Sequence, residues 1–265
     1  MDNQHYEDIL KQEKLKEKRI AIIFIIFVLG ILICIQQFEI YNVTRMAKGF
    51  SAMGTFVAQM VPPDFSDASS WIVPVYETLA MSVGGTLLAI LLSLPLAFLA
   101  KANRYHRAFH IVIRGIHCLL RAVPDLILGL LFVTAVGFGT LPGMLAIAFH
   151  STGILGRSFV ETIEGVDKEP IETLRATGAS SVQIFRYAIL PQIFLKITEL
   201  CLSRWEYNVR ISTIMGIVGA GGIGVVLVRE IDKEQYQKVF AILIVIITTL
   251  VIIDLAGSQF RKHLK

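Results

Sequence analysis

The sequence predicts an all-α polytopic membrane protein with six transmembrane helices. Hydrophobic residues make up 54% of the 265 residues and charged residues only 17%, and the mean hydropathy is +0.65. These values lie well above the usual balance of a soluble domain. The apolar residues are also concentrated in runs long enough to cross about 30 Å of hydrocarbon. Six such runs occur, at about 20–36, 78–100, 111–136, 141–160, 194–219 and 239–258.

The first run follows a basic segment, 11–19, and the pair is similar to a secretory signal. No small-x-small cleavage site follows the run, so we expect a retained anchor helix. Four apolar residues then recur at helical spacing: Phe50, Met53, Val57 and Met60. This stripe predicts either a helix at the outer membrane interface or packing against the bundle. The expected organisation is a tail, anchor and interfacial helix at 1–73, followed by a membrane core at 74–262.

The distribution of Lys and Arg predicts that both termini are cytoplasmic. With six spans and both termini inside, the inside segments contain sixteen Lys and Arg, the outside segments five, and the spans four. Basic residues accumulate in short cytoplasmic segments. Topology therefore explains the net charge of +4. We expect no binding to nucleic acid, because no basic face with interleaved aromatic residues occurs outside the N-terminal tail.

The third run contains charges that lipid alone would not tolerate. Arg114, His117, Arg121 and Asp125 fall at spacings that place them on one face of a continuous helix. An arginine in mid-membrane costs roughly 2.5–3.5 kcal/mol, so this face is expected to meet protein, water or a counter-ion. The spacing allows Arg121 to pair with Asp125. Pro124 is expected to kink the span at that point.

The fifth run contains a polar block that is the main candidate for an anion pathway. In Arg204-Trp-Glu-Tyr-Asn-Val-Arg210, Glu206 and Arg210 are spaced for an i,i+4 pair, which would leave Arg204 as the free cation. Guanidinium groups bind phosphonate and phosphate oxygens bidentately. The alternative is a structural ion-pair network. The residues predicted for the pathway are Arg121, His150, Arg204, Glu206, Asn208 and Arg210; a lone histidine such as His150 is more often a hydrogen-bonded packing residue.

Glycines follow the fifth run in a pattern that also fits a nucleotide-binding motif. Gly219-Ala-Gly-Gly-Ile-Gly224 satisfies Gly-x-Gly-x-x-Gly, but the dinucleotide fold needs a βαβ unit with a downstream acid, whereas an apolar run follows here. The glycines predict either a gate at the outer end of the span or a plain turn. The gate residues would be Gly219, Gly221, Gly222 and Gly224.

The inside loop at 161–191 predicts two short helices around a turn. Gly178 suits the left-handed backbone that ends the first helix, and Ser180 with Gln183 has the spacing of a capping box for the second. Pro191 marks a new direction. From the capping features alone, the favoured interpretation is an ordinary amphipathic helical hairpin that rests on the membrane surface.

The full spacing of this loop resembles the EAA loop of ABC importer permeases, in which Glu is followed after six residues by Gly and after thirteen more by Pro. The matching residues are Glu172, Gly178, Ala179, Leu190 and Pro191. Thr173 and Leu174 depart from the small alanines of the pattern, and Ala188 stands where isoleucine is preferred. The resemblance implies that the loop docks on a separate ATPase subunit. The chain has no P-loop of its own.

The polar block and the following glycines resemble the PhnE-type phosphonate permease family, as do Arg121-Ala-Val-Pro124 and His150-Ser151. The resemblance covers about 60–262. It implies a MetI-like importer core in a bacterial inner membrane, working as a homodimer or with a paralogue. The implied partners are a cytoplasmic ATPase dimer that binds ATP and Mg²⁺, and an extracytoplasmic phosphonate-binding protein. The solute would be a phosphonate, phosphite, hypophosphite or phosphate ester.

Two other functions stay open at this point. One is a membrane enzyme that acts on lipid phosphate, and the other is a standalone secondary anion transporter. The sequence shows no nucleophile elbow and no paired metal-ligand motif, and its three cysteines share no ligand spacing. We therefore expect no catalytic residues, no metal and no cofactor in this chain.

Overall fold

The computed structural model describes residues 2–37, 42–102 and 107–264, and these residues form helices and connecting turns without a β-strand. Packing contacts divide the chain into two units, residues 1–59 and 60–265. The α-helices are α1 (Asp2–Gln37), α2 (Val43–Met60), α3 (Ile72–Ala102), α4 (Arg107–Ala122), α5 (Asp125–Val136), α6 (Thr140–Glu164), α7 (Glu169–Ala176), α8 (Ser181–Ile184), α9 (Leu190–Met215), α10 (Ile223–Asp232) and α11 (Tyr236–Leu264).

The first unit contains the predicted anchor. Within α1, Leu15–Gln37 is long and apolar enough to cross a membrane, and its side chains are exposed along the whole stretch. A helix that is apolar all round is suited to a lipid environment. The predicted stripe on α2 is also exposed at Phe50, Met53 and Val57, and its interfacial position stays a prediction.

The second unit is built around α6. This helix packs against α3, α4, α5 and α9, and fourteen of its 25 residues are buried. Small residues let its neighbours come close. A Cβ at Gly156 would lie 2.2 Å from Nε2 of His117, and a Cβ at Gly153 would lie 2.8 Å from the backbone oxygen of the same residue. The contact between α4 and α6 therefore depends on glycine.

Helices in the described residues account for three to five membrane spans by length and composition. Leu15–Gln37, Ala68–Ala97 and Tyr236–His263 qualify singly, and two bent helix pairs, α4 with α5 and α9 with α10, bring the number to five. The remaining predicted span corresponds to α6. Because α6 is surrounded by other helices, it can carry glycines and polar side chains that a lipid-facing helix could not. The count of six spans stays a prediction.

The third predicted span is not one helix. α4 ends at Ala122 and α5 begins at Asp125, and the two helix axes differ by 87°. Pro124 has no backbone N–H and disfavours helical geometry at Val123, so the ladder of hydrogen bonds stops there. The place of the kink was predicted correctly, but its size was not. The prediction that Asp125 shares a helix face with Arg114, His117 and Arg121 is therefore wrong.

Candidate functional site: a buried polar network, an exposed ion pair and a helix–turn–helix loop

A chain of hydrogen bonds crosses the centre of the second unit. Nε of Arg204 donates to Oγ of Ser151 at 2.9 Å, and Ser151 donates to Oδ1 of Asn208 at 3.1 Å. Nδ2 of Asn208 donates to Oγ1 of Thr86 at 2.8 Å, and Thr86 donates to the backbone oxygen of Ser82 at 2.7 Å. These bonds join α9, α6 and α3. All four bonding side chains are buried, so each bond satisfies a group that water does not reach.

Arg204 is the charge at one end of this chain. This residue is only 8% exposed. The guanidinium carbon lies 4.5 Å from the ring centroid of Tyr207, a cation–π contact. Asp125 on α5 is the acidic residue that interacts electrostatically with this guanidinium. Arg204 thus lies inside the bundle, and the expectation that it is the free cation is not supported by its position.

Asp125 also faces His150. Nδ1 of His150 lies 3.6 Å from Oδ1 of Asp125 and 3.0 Å from the backbone oxygen of Val123. The shorter contact fits donation by His150 to Val123 and ties α6 to the break between α4 and α5. The predicted pair of Arg121 with Asp125 does not form. The 87° bend carries Asp125 toward His150 and Arg204, away from the arginines of α4.

The acidic and basic partners on α9 also differ from the prediction. Glu206 pairs with Arg261 on α11, and Arg210 pairs with Asp254 on α11. The predicted i,i+4 pair of Glu206 with Arg210 is therefore wrong, because each of the two residues pairs with a residue of α11 instead. Arg210 and Asp254 are each 47% exposed, whereas the side chain of Glu206 is only 12% exposed. Arg210 is the accessible cation of the polar block.

The structure divides the predicted pathway residues into three places. His150, Arg204 and Asn208 come together in the buried region, while Glu206 and Arg210 lie at the contact of α9 with α11. Arg121 lies apart from both, beside a cavity between α4 and α6. Three partners in these contacts were not predicted: Thr86, Asp254 and Arg261. They sit in other helices at no fixed spacing from α9, so no local pattern marks them.

The loop at 161–191 has the predicted form of two short helices around a turn. α7 ends before Gly178, which has φ of +79°, a backbone conformation that suits glycine. Ser180 and Gln183 make both bonds of a capping box at the start of α8. The chain then passes through a π-helical turn, Phe185–Ile189, into α9, with Pro191 in its first turn. Glu172, Gly178, Leu190 and Pro191 are exposed, and Ala179 is partly buried.

Gln192 holds this loop against the start of α9. Its Oε1 accepts from the backbone N–H of Asp167 at 2.9 Å, and its Nε2 donates to the backbone oxygen of Ala188 at 2.8 Å. Beyond this contact, α8 and the π-helical turn after it present exposed apolar side chains, among them Val182 at 74% and Tyr187 at 64% exposure. An exposed apolar patch of this kind suits a protein interface.

The glycine segment forms a tight connection between α9 and α10. Gly219, Gly221 and Gly222 all have positive φ. Gly224 approaches α9 so closely that a Cβ would lie 2.0 Å from the oxygen of Thr213. Two side chains at the start of α3 hold the segment: Glu77 accepts from the N–H of Gly222 at 3.1 Å, and Thr78 accepts from the N–H of Ile223 at 2.9 Å. These partners were not predicted, because they lie more than 140 residues away in sequence.

The fold is that of the membrane domain of an ABC importer. A solved structure of the MetNI methionine ABC transporter in an inward-facing conformation superimposes with a TM-score of 0.65 at 19% identity, over 76% of this chain and 99% of that chain. The family model for binding-protein-dependent transport system inner membrane components matches residues 89–265. The chain belongs to this family. It is a multi-pass inner-membrane permease subunit, whose family works with an ATPase, a binding protein and a second permease.

Two curated relatives are similar over most of the chain. The phosphite transport system permease protein PtxC of Stutzerimonas stutzeri is 42% identical over 94% of this chain and 90% of its own length. The phosphate-import permease protein PhnE of Mycolicibacterium smegmatis is 36% identical over 83% of this chain, which corresponds to 42% of that relative. Membership of a permease family decides against the enzyme and the standalone transporter that the sequence alone left open.

Proposed function

We propose that this chain is the permease subunit of an ATP-driven, binding-protein-dependent importer for phosphorus oxyanions, with phosphite and phosphonates as its solutes. The observation that carries the proposal is the 42% identity with a phosphite permease across 94% of the chain. A match over 94% of the chain spans both the polar block of α9 and the loop at 161–191, the two parts that the transport mechanism needs. The cation and hydrogen-bond donors of α9 suit an oxygen-rich anion.

In this proposal Arg210 is the residue that meets the solute. It is half-exposed, and its ion pair with Asp254 is exposed to the same extent. An exposed pair contributes little stability, about 0–1 kcal/mol, so an arriving oxyanion can replace the carboxylate as the partner of the guanidinium at small cost. Three buried residues support this site without meeting the solute: Arg204, Asn208 and His150. Their hydrogen bonds fix the position of α9 against α6 and α3.

The inside loop transmits the work of the ATPase in this proposal. Its exposed apolar residues supply the docking surface, and Gly178 with the capping box of Ser180 fixes the angle between the two short helices. The contacts of Gln192 pass any displacement of the loop directly to the first turn of α9. α9 also carries Arg210, so one rigid helix connects the ATPase contact to the solute contact.

The glycine segment between α9 and α10 is proposed as the outer gate, with Glu77 and Thr78 as its latch. The full assembly is proposed to contain two copies of this chain, a cytoplasmic ATPase dimer and an extracytoplasmic phosphonate- or phosphite-binding protein.

Both termini of the chain are proposed to be cytoplasmic. Single cysteines at Asp67 and Lys168, in a background lacking Cys34, Cys118 and Cys201, should be labelled from opposite membrane faces. Labelling of both from outside contradicts this orientation.

The solute is tested by competition in whole cells that express the permease with its ATPase and binding protein. Uptake of radiolabelled phosphite should be suppressed by excess phosphite or methylphosphonate and only weakly by excess sulfate, a tetrahedral oxyanion without phosphorus. Equal suppression by sulfate would show that the system does not select phosphorus. Suppression by methionine alone would place this chain with a different branch of its family.

A further inference from the structure

A cavity of about 360 Å³ lies between α4 and α6, and arginines dominate its wall. Arg114 and Arg121 line it from α4, and Arg157 lines it from α6. His117, buried against Gly156, forms part of the wall between them. Glu161 is the one acidic residue in the lining. The proposed transport mechanism uses none of these groups, and no contact supports the predicted place of Arg121 in the pathway.

The cations of this cavity are incompletely neutralised. Arg157 pairs with Glu161 at 2.7 Å, and Arg114 lies 3.7 Å from Glu164. Arg121 makes no ion pair or hydrogen bond with any part of the chain that the structure describes. Three guanidinium groups thus face two carboxylates. Both pairs are 45–63% exposed, so they contribute little stability and can be exchanged for a stronger partner.

The cavity is separate from the buried network of Arg204. An α-helix turns by about 100° per residue, so Gly153, Gly156 and Arg157 lie on the side of α6 opposite to Ser151. Ser151 bonds to Arg204 and Asn208 on one side. On the other side Gly153 and Gly156 admit the backbone and imidazole of His117. α6 itself therefore stands between the two groups of arginines.

We propose that this cavity binds a phosphate-type anion that is not the solute in transit. Guanidinium groups from two helices can hold the oxygens of one phosphate bidentately, and Arg121 supplies the charge that no carboxylate of the described chain balances. Two sources have this chemistry: the headgroup of an anionic phospholipid and free phosphate in the aqueous phase. Either ligand would hold α4 against α6 at the break before Asp125.

The exposed apolar side chains of α4 help to distinguish a phospholipid headgroup from free phosphate as the bound anion. Ile111 and Leu119 are 60% and 67% exposed on the helix that supplies two of the three arginines. A phospholipid could lay its acyl chains on that surface while its headgroup entered the cavity. Free phosphate would use the arginines alone. The two sources therefore predict different ligands on the purified protein.

The test uses the permease purified with its ATPase partners in nanodiscs of phosphatidylcholine with or without phosphatidylglycerol. Native mass spectrometry measures retained phosphatidylglycerol, and equilibrium dialysis measures bound inorganic phosphate. Wild type should retain one of the two probes. The double variant Arg114→Gln/Arg121→Gln should bind that probe at least about tenfold more weakly, since two charged donors are lost. Arg19→Gln, which removes an exposed arginine from α1, should bind as wild type does.

A second measurement leaves the arginines unchanged. Cys118 is exposed and lines the cavity, so in a background without Cys34 and Cys201 its alkylation should slow when the bound probe is added. Retention of neither probe by wild type, unchanged binding by the double variant, or unprotected Cys118 would overturn the proposal. Because no step measures uptake, failure here is distinct from failure of the importer assignment.

Discussion

The two sides of α6 hold arginines in opposite surroundings. Toward α3 and α9, Arg204 is almost completely buried and begins a chain of side-chain hydrogen bonds. Toward α4, Arg114 and Arg157 are more than half exposed and form loose or exchangeable pairs. The same residue type therefore has two uses in one bundle. A buried arginine fixes the packing of helices, whereas an exposed one stays available to an anion.

The largest effect is expected for Arg204→Gln. Removing one member of a buried charged network typically costs about 3–5 kcal/mol, because the partner groups stay buried without compensation. We expect poor recovery of the assembled complex by size-exclusion chromatography and a lower thermal unfolding temperature. Arg204→Lys keeps the charge and should be recovered better. A fully stable Arg204→Gln complex that has lost only uptake would show that Arg204 contacts the solute. It would contradict the conclusion that this buried arginine fixes the packing of the helices.

A smaller effect is expected at the contact between α4 and α6. Gly156→Ala would place a methyl group 2.2 Å from Nε2 of His117, and overpacking of this kind costs about 1–3 kcal/mol. The matched control is Gly115→Ala on α4, where a Cβ meets nothing within 4 Å; it should be neutral or stabilising by up to about 1 kcal/mol. Denaturation in detergent measures both. Equal effects would mean that the close approach of the helices does not matter.

Gly178→Val tests whether transport can be lost while both sides of α6 stay intact. A β-branched residue at φ of +79° is strained by about 1–2 kcal/mol, and no neighbour lies within 4 Å to add a steric clash. The strain should change the loop and uncouple ATP hydrolysis from uptake in reconstituted vesicles, without loss of membrane insertion. Gly178→Asn, which tolerates this backbone better, should be milder. Normal coupling in the valine variant would remove the loop from the mechanism.

The smallest effect on stability is expected for Arg210→Gln. Its exposed pair with Asp254 contributes about 0–1 kcal/mol, so the complex should assemble normally. Uptake should nevertheless fall, because the apparent KM for the solute should rise. The amount of assembled complex should stay as in wild type. Asp254→Asn should affect uptake less, since it leaves the cation in place. If Arg210→Gln transports as wild type does, the solute contact lies elsewhere.

The sequence predicted the helical class, the loop and the glycine connection because each has a local cause. Gly178 and the Ser180 capping box follow from backbone preferences that act within a few residues. The ion pairs could not be predicted in the same way. Glu206 and Arg210 have the spacing of an i,i+4 pair, yet they form ion pairs with Arg261 and Asp254. Packing between helices brings together residues that are far apart in sequence. The break at Pro124 had the same consequence for Asp125.

The same limit applies to burial. Nothing in the spacing of Arg204 and Arg210 reveals that one is inside the bundle and the other half-exposed. The sequence-based hypothesis assigned the solute contact to Arg204, whereas the proposal made with the structure assigns it to Arg210. The arginines of α4 and α6 could not be assigned to one cavity until the packing of α4 against α6 was known. α6 is absent from the spans that qualify by length and composition, because a helix enclosed by protein can be less apolar than its neighbours.

The most direct test of the central claim is uptake of radiolabelled phosphite into vesicles that contain two copies of this chain and the ATPase dimer. ATP is placed on the side of the ATPase, and the solute-loaded binding protein on the opposite side. The account predicts accumulation that requires ATP and the binding protein together and that falls in the Arg210→Gln variant. Uptake that proceeds without ATP or without the binding protein would contradict the assignment of this chain to an ATP-driven importer.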